Sequence, residues 1–188
     1  MSNANPTILA IDPGTEKLGI SLMNETGPMH CWYIKIAKDD LAERYKAVFS
    51  AICDILNSIK IEIDYYTIET PFFGRNIATT IKLGTVRGII IASIFRRNRD
   101  AKIVDINPVE VRNHFGLKKG AKKNECHEFL LKVFRANIEK EQLHEDVLDS
   151  LGIGLAALSK IKRMKQNAII KPITKHIKRR TSRCGKKT

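Results

Sequence analysis

The stretch TILAIDPGTEKLGISLM, residues 7–23, decides the fold. Two strand-sized apolar runs in it flank Pro13-Gly14-Thr15, residue types that favour a tight turn. A third apolar run follows, so we expect an antiparallel meander at the start of the domain. Its predicted strands are Thr7–Ile11, Leu18–Met23 and Cys31–Ile36. The first of them leads directly into an acid, Asp12.

The rest of the chain alternates between helical and strand patterns. Asp39 and Asp40 precede an amphipathic helical pattern, and later short apolar runs have the length of buried strands. We predict helices near residues 40–59, 77–95, 109–115, 123–136 and 143–165, and strands at 63–68 and 102–106. Three strands followed by alternating helices and strands describe an α/β domain, with a mixed five-stranded sheet flanked by helices.

Composition predicts one domain with a basic end. A chain of 188 residues, 43% of them hydrophobic, suits a single well-filled core. The net charge is +13, and the segment from Lys160 to Thr188 holds twelve Lys or Arg and no acid. We therefore expect a folded domain over residues 1–165 and a basic C-terminal tail over residues 166–188. Such a tail favours a polyanionic partner, above all nucleic acid, over a role in solubility alone.

The sequence predicts a soluble intracellular protein without a membrane segment. Its start does not resemble a secretory signal, and the apolar stretch Gly88 to Phe95 is far shorter than a membrane span. The four cysteines lack zinc-binding spacing, which fits free thiols in a reducing compartment. For the adjacent Cys126 and His127 we expect packing or surface roles, because neighbours on a helix point in different directions.

Four acids carry the predicted chemistry. Asp12 and Glu69 follow the first and fourth strands, so both face the same edge if those strands are neighbours. Asp146 and Asp149 are three residues apart at the head of the last helix, which places them on one helix face. Carboxylate oxygens favour Mg²⁺ or Mn²⁺, and two such ions suit phosphodiester hydrolysis. Singly, such acids often cap turns or favour a helix dipole, so the set carries the inference.

Three other features of the sequence allow two interpretations each. Glu145 could be a further ligand, although a first-turn acid that favours the helix dipole explains it as well. His144 beside the acids could take part, but a role at the helix entry is the simpler interpretation. Gly84 and Gly88 share one face of a helix, where each glycine costs about 1 kcal/mol relative to alanine. Internal packing of the helix on the sheet would explain that pair, as would the close approach of another surface.

The segments ILAIDPGTEKLG, IETPFFGRN, IKLGTVRG and EDVLDSLGIGLA, in this order, resemble the RuvC-type Holliday junction resolvases. The basic end makes the poxvirus branch of that family the most similar. The resemblance implies an RNase H-like fold of the retroviral integrase superfamily, a homodimer, Mg²⁺ dependence with Mn²⁺ as a substitute, and paired nicks across four-way DNA junctions. It assigns the catalytic and metal-binding roles to Asp12, Glu69, Asp146 and Asp149. The poxvirus branch would place the protein in the cytoplasm of an infected host cell.

Aromatic and basic residues near the acids are predicted DNA contacts. Pro71 ends the strand after Glu69, so Phe72 could either stack on a splayed base or cover the core, and the resemblance favours DNA. Basic residues also bracket a glycine-containing turn over residues 116–120, where cations and backbone N–H groups suit phosphate. The resemblance favours this interpretation over a merely solvated surface. The predicted contacts are Phe72, Arg75, Arg112, Lys118, Lys119, Lys122 and Lys123.

Three other functions stay open at this point. An RNase H-like nuclease could act on RNA/DNA hybrids or on other branched DNA, cutting one strand as a monomer. The segment DPGTEKLG also resembles a phosphate loop of actin-like and Hsp70-like ATPases, but the sequence holds no second DxG motif. A non-catalytic DNA-binding protein could rely on the basic tail alone.

Overall fold

The protein is described by a computed structural model that covers residues 5–71, 76–116, 123–134 and 137–184. In chain order the elements are β1 (Ile8–Asp12), β2 (Lys17–Asn24), β3 (Gly27–Lys35), α1 (Leu41–Ser58), β4 (Tyr65–Glu69), α2 (Ile77–Arg97), β5 (Ile103–Ile106), α3 (Pro108–His114), α4 (Lys123–Phe134) and α5 (Glu145–Cys184). Each predicted helix and strand is present. The helix α5 continues past its predicted end near Lys165, to Cys184.

The five strands form one sheet in the order β3-β2-β1-β4-β5. The first three strands are antiparallel, whereas β1, β4 and β5 run parallel to one another. The turn between β1 and β2 requires Gly14, since a Cβ there would lie 2.2 Å from the carbonyl oxygen of Lys17. The mixed five-stranded sheet flanked by helices is therefore confirmed.

One face of this sheet is covered by α1 and α2. Both helices begin at polar caps, with the side chains of Asp40 and Asn76 accepting backbone hydrogen bonds in their first turns. Alternate strand residues meet the apolar side of the two helices in a layer of large apolar side chains. The layer includes Leu9, Ile11, Leu18, Ile20, Leu22, Val48, Ile52, Ile55, Leu56, Tyr66, Ile68, Val86, Ile90 and Ile94. This layer forms the hydrophobic core on one face of the sheet.

The helix α2 has an apolar outer side as well. Within the described residues it is the one helix long and apolar enough to cross a membrane by length and composition, and the stretch Gly88 to Phe95 is only part of it. Its inner residues Val86, Ile90 and Ile94 are fully buried against the sheet, as in a core helix of a globular domain. Apart from the adjacent residues and backbone of α2 itself, no described atom lies within 4 Å of a Cβ added to Gly84 or Gly88. Internal packing of these glycines was therefore a wrong interpretation.

The opposite face of the sheet is covered by the start of α5. The helix approaches closely because small residues meet there. A Cβ added to Gly154 would lie 2.3 Å from the sulfur of Met23 and 3.2 Å from the Cβ of Ala10. On its outer side, a Cβ on Gly152 would lie 3.3 Å from the Val111 side chain of α3. The first turns of α5 are thus enclosed between the sheet and the helices that follow β5.

The chain divides into two compact units, Met1–Leu158 and Ser159–Thr188. All five strands and the four predicted catalytic acids belong to the first unit. The domain boundary at Lys165 was inferred from charge. It stays a prediction that the nuclease domain ends there and that the basic tail follows.

Candidate active site

Asp12 and Glu69 lie side by side at the carboxyl ends of β1 and β4. These strands are parallel neighbours whose register pairs Ile11 with Ile68, so the next residue on each strand is Asp12 or Glu69. Ile11 and Ile68 both point into the layer under α1 and α2. Because side chains alternate along a strand, Asp12 and Glu69 point to the opposite face, which α5 covers. Both acids are partly exposed.

The backbone of Asp146 contacts Gly19 of β2, at the same edge of the sheet. Gly19 pairs with Asp12 across the antiparallel β1–β2 ladder. A Cβ on Gly19 would lie only 1.7 Å from the carbonyl oxygen of Asp146, so the backbone of α5 contacts the strand at this point. The start of α5 therefore packs against Gly19, the residue that pairs with Asp12.

The Asp146 side chain is held by a histidine from its own turn. His144 Nδ1 lies 2.7 Å from Asp146 Oδ2, and the His144 ring stacks on Tyr33 of β3 with centroids 3.8 Å apart. The backbone N–H of Tyr33 donates to Gln142 Oε1 at 2.6 Å. The His144 carbonyl also accepts from the N–H groups of Val147 and Leu148. His144 thus occupies the helix entry, as expected, and fastens the start of α5 to β3.

The Asp149 side chain is held by a histidine from another helix. His127 of α4 is 7% exposed, and its Nε2 lies 2.8 Å from Asp149 Oδ1. The sequence predicts packing or surface roles for His127, and the hydrogen bond to Asp149 is not among them. No local pattern could have shown it, because the two residues are 22 positions apart and meet only when α4 packs on α5.

The main chain brings Asp12, Glu69 and the start of α5 to one edge of the sheet, without assembling a coordination sphere. Across the described ranges, no three His, Cys, Asp or Glu side chains are grouped closely enough to hold a metal ion. Each α5 aspartate has one carboxylate oxygen bonded to a histidine, and a carboxylate offers two oxygens, so such a bond does not by itself exclude a metal. Four carboxylates are the hard oxygen donors that Mg²⁺ and Mn²⁺ prefer. The donor chemistry therefore fits a divalent ion at this edge.

The residues around the acids are only partly described. Arg112 is exposed in the last turn of α3. That helix follows β5, whose Ile106 pairs with Glu69, so Arg112 belongs to the same edge of the sheet. Lys123 is the first residue of α4, and Glu145 is exposed at the start of α5. The other predicted contacts lie outside the described residues: Phe72, Arg75, Lys118, Lys119 and Lys122.

The sheet order and the acids at its edge define the class of the protein. A meander followed by two parallel strands, flanked by helices on both faces, is the RNase H-like fold. Among solved structures, the chain is similar to "T. thermophilus RuvC in complex with Holliday junction substrate", with a TM-score of 0.64, 18% identity, and coverage of 80% of this chain and 91% of that one. A second Thermus thermophilus RuvC structure matches with a TM-score of 0.63 and 19% identity, covering 80% of this chain and 92% of that one.

The family follows from sequence. The family model described as "Crossover junction endodeoxyribonuclease RuvC" matches residues 8–157. This chain therefore belongs to the RuvC family of Holliday junction resolvases, which are divalent-metal-dependent nucleases. It is 30% identical to RuvC of Hydrogenovibrio crunogenus over 111 residues, which are 56% of this chain and 62% of that protein. It is 28% identical to RuvC of Pelodictyon phaeoclathratiforme over 156 residues, covering 80% of this chain and 78% of that protein.

Proposed function

We propose that this chain is a metal-dependent endonuclease that resolves four-way DNA junctions by paired phosphodiester hydrolysis in a homodimer. One observation carries the proposal: the ends of β1 and β4 and the start of α5 meet at one edge of the sheet, and each brings a carboxylate. The solved T. thermophilus RuvC complex with a Holliday junction substrate supports the same substrate class. The family resemblance further implies ligatable ends, with a 5′-phosphate and a 3′-hydroxyl.

The residues that would hold the metal are Asp12, Glu69, Asp146 and Asp149. Their oxygen-only donor set supports Mg²⁺, with Mn²⁺ as a substitute, and their number suits two ions per site. When bound, such ions would activate water and stabilise the departing oxygen. The protein's own part is to hold the carboxylates on three different elements of the sheet edge, which keeps their spacing fixed while DNA binds.

The DNA contacts would surround this edge. Arg112 presents an exposed cation on α3, and Lys123 begins α4 after the basic residues Lys118, Lys119 and Lys122. Phosphate contacts of this kind position DNA without reading its sequence, so binding should weaken steeply with salt. Phe72 and Arg75 follow Glu69 closely in sequence, which supports contacts near the junction crossover.

The outer side of α2 supports the homodimer. Ile77 and Ile81 are 73% and 63% exposed, and they continue the helical face that carries Gly84 and Gly88. An apolar face of this kind favours contact with another surface, and glycines permit a close approach of two backbones. A two-fold axis through paired α2 helices would present two identical active sites to a junction with near two-fold symmetry.

The substitution Asp149→Asn tests the metal-dependent nuclease. With a labelled immobile four-way junction and Mg²⁺, cutting should fall by more than the about 100-fold typical of residues that only support metal ligands, while junction binding persists. The matched control is Asp54→Asn, which removes an exposed acid on α1 and should cut normally. Cutting by Asp149→Asn at the wild-type rate would make the acids structural and leave a DNA-binding protein without catalysis.

Comparison of substrates tests the junction assignment. The homodimer should cut two opposed strands of the junction and leave an RNA/DNA hybrid of equal length intact. Preferential cutting of a single strand in the hybrid, by a monomer, would support the rival RNase H-like activity instead.

Within the RuvC family, we place the protein in the poxvirus branch, which implies a location in the cytoplasm of the infected host cell. The basic segment from Lys160 to Thr188 supports this placement. We propose that residues 1–165 form the nuclease domain and that residues 166–188 form a DNA-binding tail. The relatives named above are bacterial. A phylogenetic tree of viral and bacterial resolvases tests the placement, and a position among the bacterial sequences would contradict it.

A further inference from the structure

The two candidate ligands on α5 are held in different ways. His144 belongs to the same stretch of chain as Asp146, and its side chain is 34% exposed. His127 comes from α4 and its side chain is 9% exposed, while that of Asp149 is 20% exposed. Water can replace a lost hydrogen bond at the first pair much more readily than at the second. The His127 contact is therefore the less replaceable of the two.

The direction of the buried hydrogen bond follows from the chemistry of its partners. An ionised carboxylate only accepts hydrogen bonds, so Nε2 of His127 must carry the proton that it donates to Asp149 Oδ1. This donation is the same for the neutral imidazole with its proton on Nε2 and for the imidazolium. A hydrogen bond to a charged group in a site largely shielded from water is among the stronger and better-oriented ones.

The contact rests on close packing between α4 and α5. A Cβ on Gly152, one turn after Asp149, would lie 3.7 Å from the sulfur of Cys126, the residue beside His127. This ordinary contact distance shows that α4 and α5 are neighbours where the hydrogen bond forms. Packing between the two helices therefore holds His127 and Asp149 next to each other in addition to the bond itself.

We infer that His127 is a positioning residue for the metal site, one that donates its Nε2 proton to Asp149 and so fixes the orientation of that carboxylate. The inference rests on the proposed function, because it assumes that Asp149 binds the metal. Groups that hydrogen-bond a ligating carboxylate restrict its rotation and set the direction of its remaining lone pairs. The Nε2 of His127 would not itself bind the metal, since it carries the proton that it donates.

Direct metal binding tests this role. Binding of Mn²⁺ alone to the purified full-length protein is measured by the electron paramagnetic resonance signal of free Mn²⁺. His127→Leu keeps apolar volume but removes the donor, and should weaken Mn²⁺ binding about 10–100-fold. His127→Gln retains an N–H donor at a similar reach and should recover most of the affinity. His30→Leu, at an exposed histidine of β3, is the matched control and should bind Mn²⁺ as the wild type does.

Thermal unfolding in EDTA shows which variants are folded. A folded His127→Leu that binds Mn²⁺ like the wild type would overturn the inference, and so would a folded His127→Gln as weak as His127→Leu. If His127→Leu does not fold, imidazole NMR of the wild type decides the matter. Saturating Mg²⁺ should then shift the Nε2 resonance of His127 and leave that of His30 in place, and an unmoved His127 signal overturns the inference.

Asp149→Asn separates this inference from the proposed function. Wild-type protein that binds no Mn²⁺, or binds it no better than Asp149→Asn, contradicts the metal-dependent nuclease itself. Loss of Mn²⁺ binding in Asp149→Asn together with wild-type affinity in His127→Leu contradicts only the role of His127.

Discussion

The helices α5 and α2 cover opposite faces of one sheet, and glycines serve opposite purposes at the two contacts. On the α5 side, an added Cβ would lie 1.7 Å from a backbone oxygen at Gly19 and 2.3 Å from a sulfur at Gly154. On the α2 side, apart from the adjacent residues and backbone of α2 itself, no described atom lies within 4 Å of a Cβ added to Gly84 or Gly88. The first pair permits close contact within the chain, and the second pair leaves a surface open to another molecule.

The side chains buried at the two contacts also differ in size and polarity. Under α2 the sheet meets large aliphatic residues such as Ile90 and Ile94, whose burial stabilises the fold without demanding a fixed backbone distance. Under α5 the buried residues include Ser21, Thr67 and Ser150, and within the described residues the Thr67 hydroxyl has no hydrogen-bond partner. The α5 contact is the close one of the two, and it places Asp146 beside the strand that pairs with Asp12.

The largest effect is expected from Gly19→Ala. The new Cβ would overlap the backbone carbonyl of Asp146, and a rotamer change cannot relieve an overlap with backbone. We expect the free energy of unfolding to fall by more than the about 1–3 kcal/mol typical of overpacked cores, and junction cutting to be lost with it. Urea denaturation and the nicking assay measure the two effects. Wild-type values in both would mean that α5 does not need this approach.

A smaller effect is expected from Gly154→Ala at the same contact. Its Cβ would overlap the thioether of Met23, which is flexible enough to move aside. The cost of overpacking, about 1–3 kcal/mol, is offset in part by the about 1 kcal/mol that alanine gains over glycine in a helix. We expect a modest loss of stability in urea, relieved when Met23→Val is combined with it. If Gly154→Ala lowered the free energy of unfolding as much as Gly19→Ala, the close approach to the sheet would be required along α5 as far as Gly154, and not only in its first turn.

The sequence predicted the elements of both faces because local patterns determine them. Apolar alternation marked the meander around Pro13-Gly14, and polar caps such as Asp40 marked helix starts. The side-by-side placement of Asp12 and Glu69 needed only the pairing of β1 with β4, which the order of elements suggested. These inferences depend on residues close in sequence or on one pairing of strands.

The contacts that complete the site could not be predicted in this way. Gly19 matters because it lies under Asp146, and His127 matters because it meets Asp149, and both distances are set by how α5 packs. The glycines of α2 show the reverse difficulty. A small residue on a helix face predicts a close neighbour, but the pattern does not say whether that neighbour is in the same chain.

The substitution Gly88→Ala tests the open surface of α2. Since no described atom lies near its Cβ position, the change should stabilise the helix itself by up to about 1 kcal/mol. If two α2 helices meet at this point, the same methyl group should weaken the homodimer. Sedimentation equilibrium measures the dimer dissociation constant, and urea denaturation at low protein concentration measures the stability of the monomer. A dimer unaffected by alanine at this position would place the interface elsewhere.

The smallest effect concerns two cysteines on the opposite faces. Trp32 packs on the apolar layer under α1 and α2, so the neighbouring strand residue Cys31 faces the α5 side. Burial there, with the nearby charge of Glu139, raises the pKa of the Cys31 thiol from the ordinary 9.0 to about 12. Cys53 lies on α1 and is partly exposed. Because the thiolate is the nucleophile, iodoacetamide at about pH 8 should modify Cys53 well before Cys31.

The raised pKa of Cys31 also has a defined effect on stability. The thiol ionises more readily in the unfolded chain, so its contribution to stability is fully present below about pH 9 and is lost progressively as the pH rises toward about 12. Mass spectrometry of alkylated peptides, with and without urea, measures the protection of each cysteine. Equal rates for Cys31 and Cys53 in the folded protein would mean that the α5 face opens as easily as the α2 face, which the tight contact at Gly19 argues against.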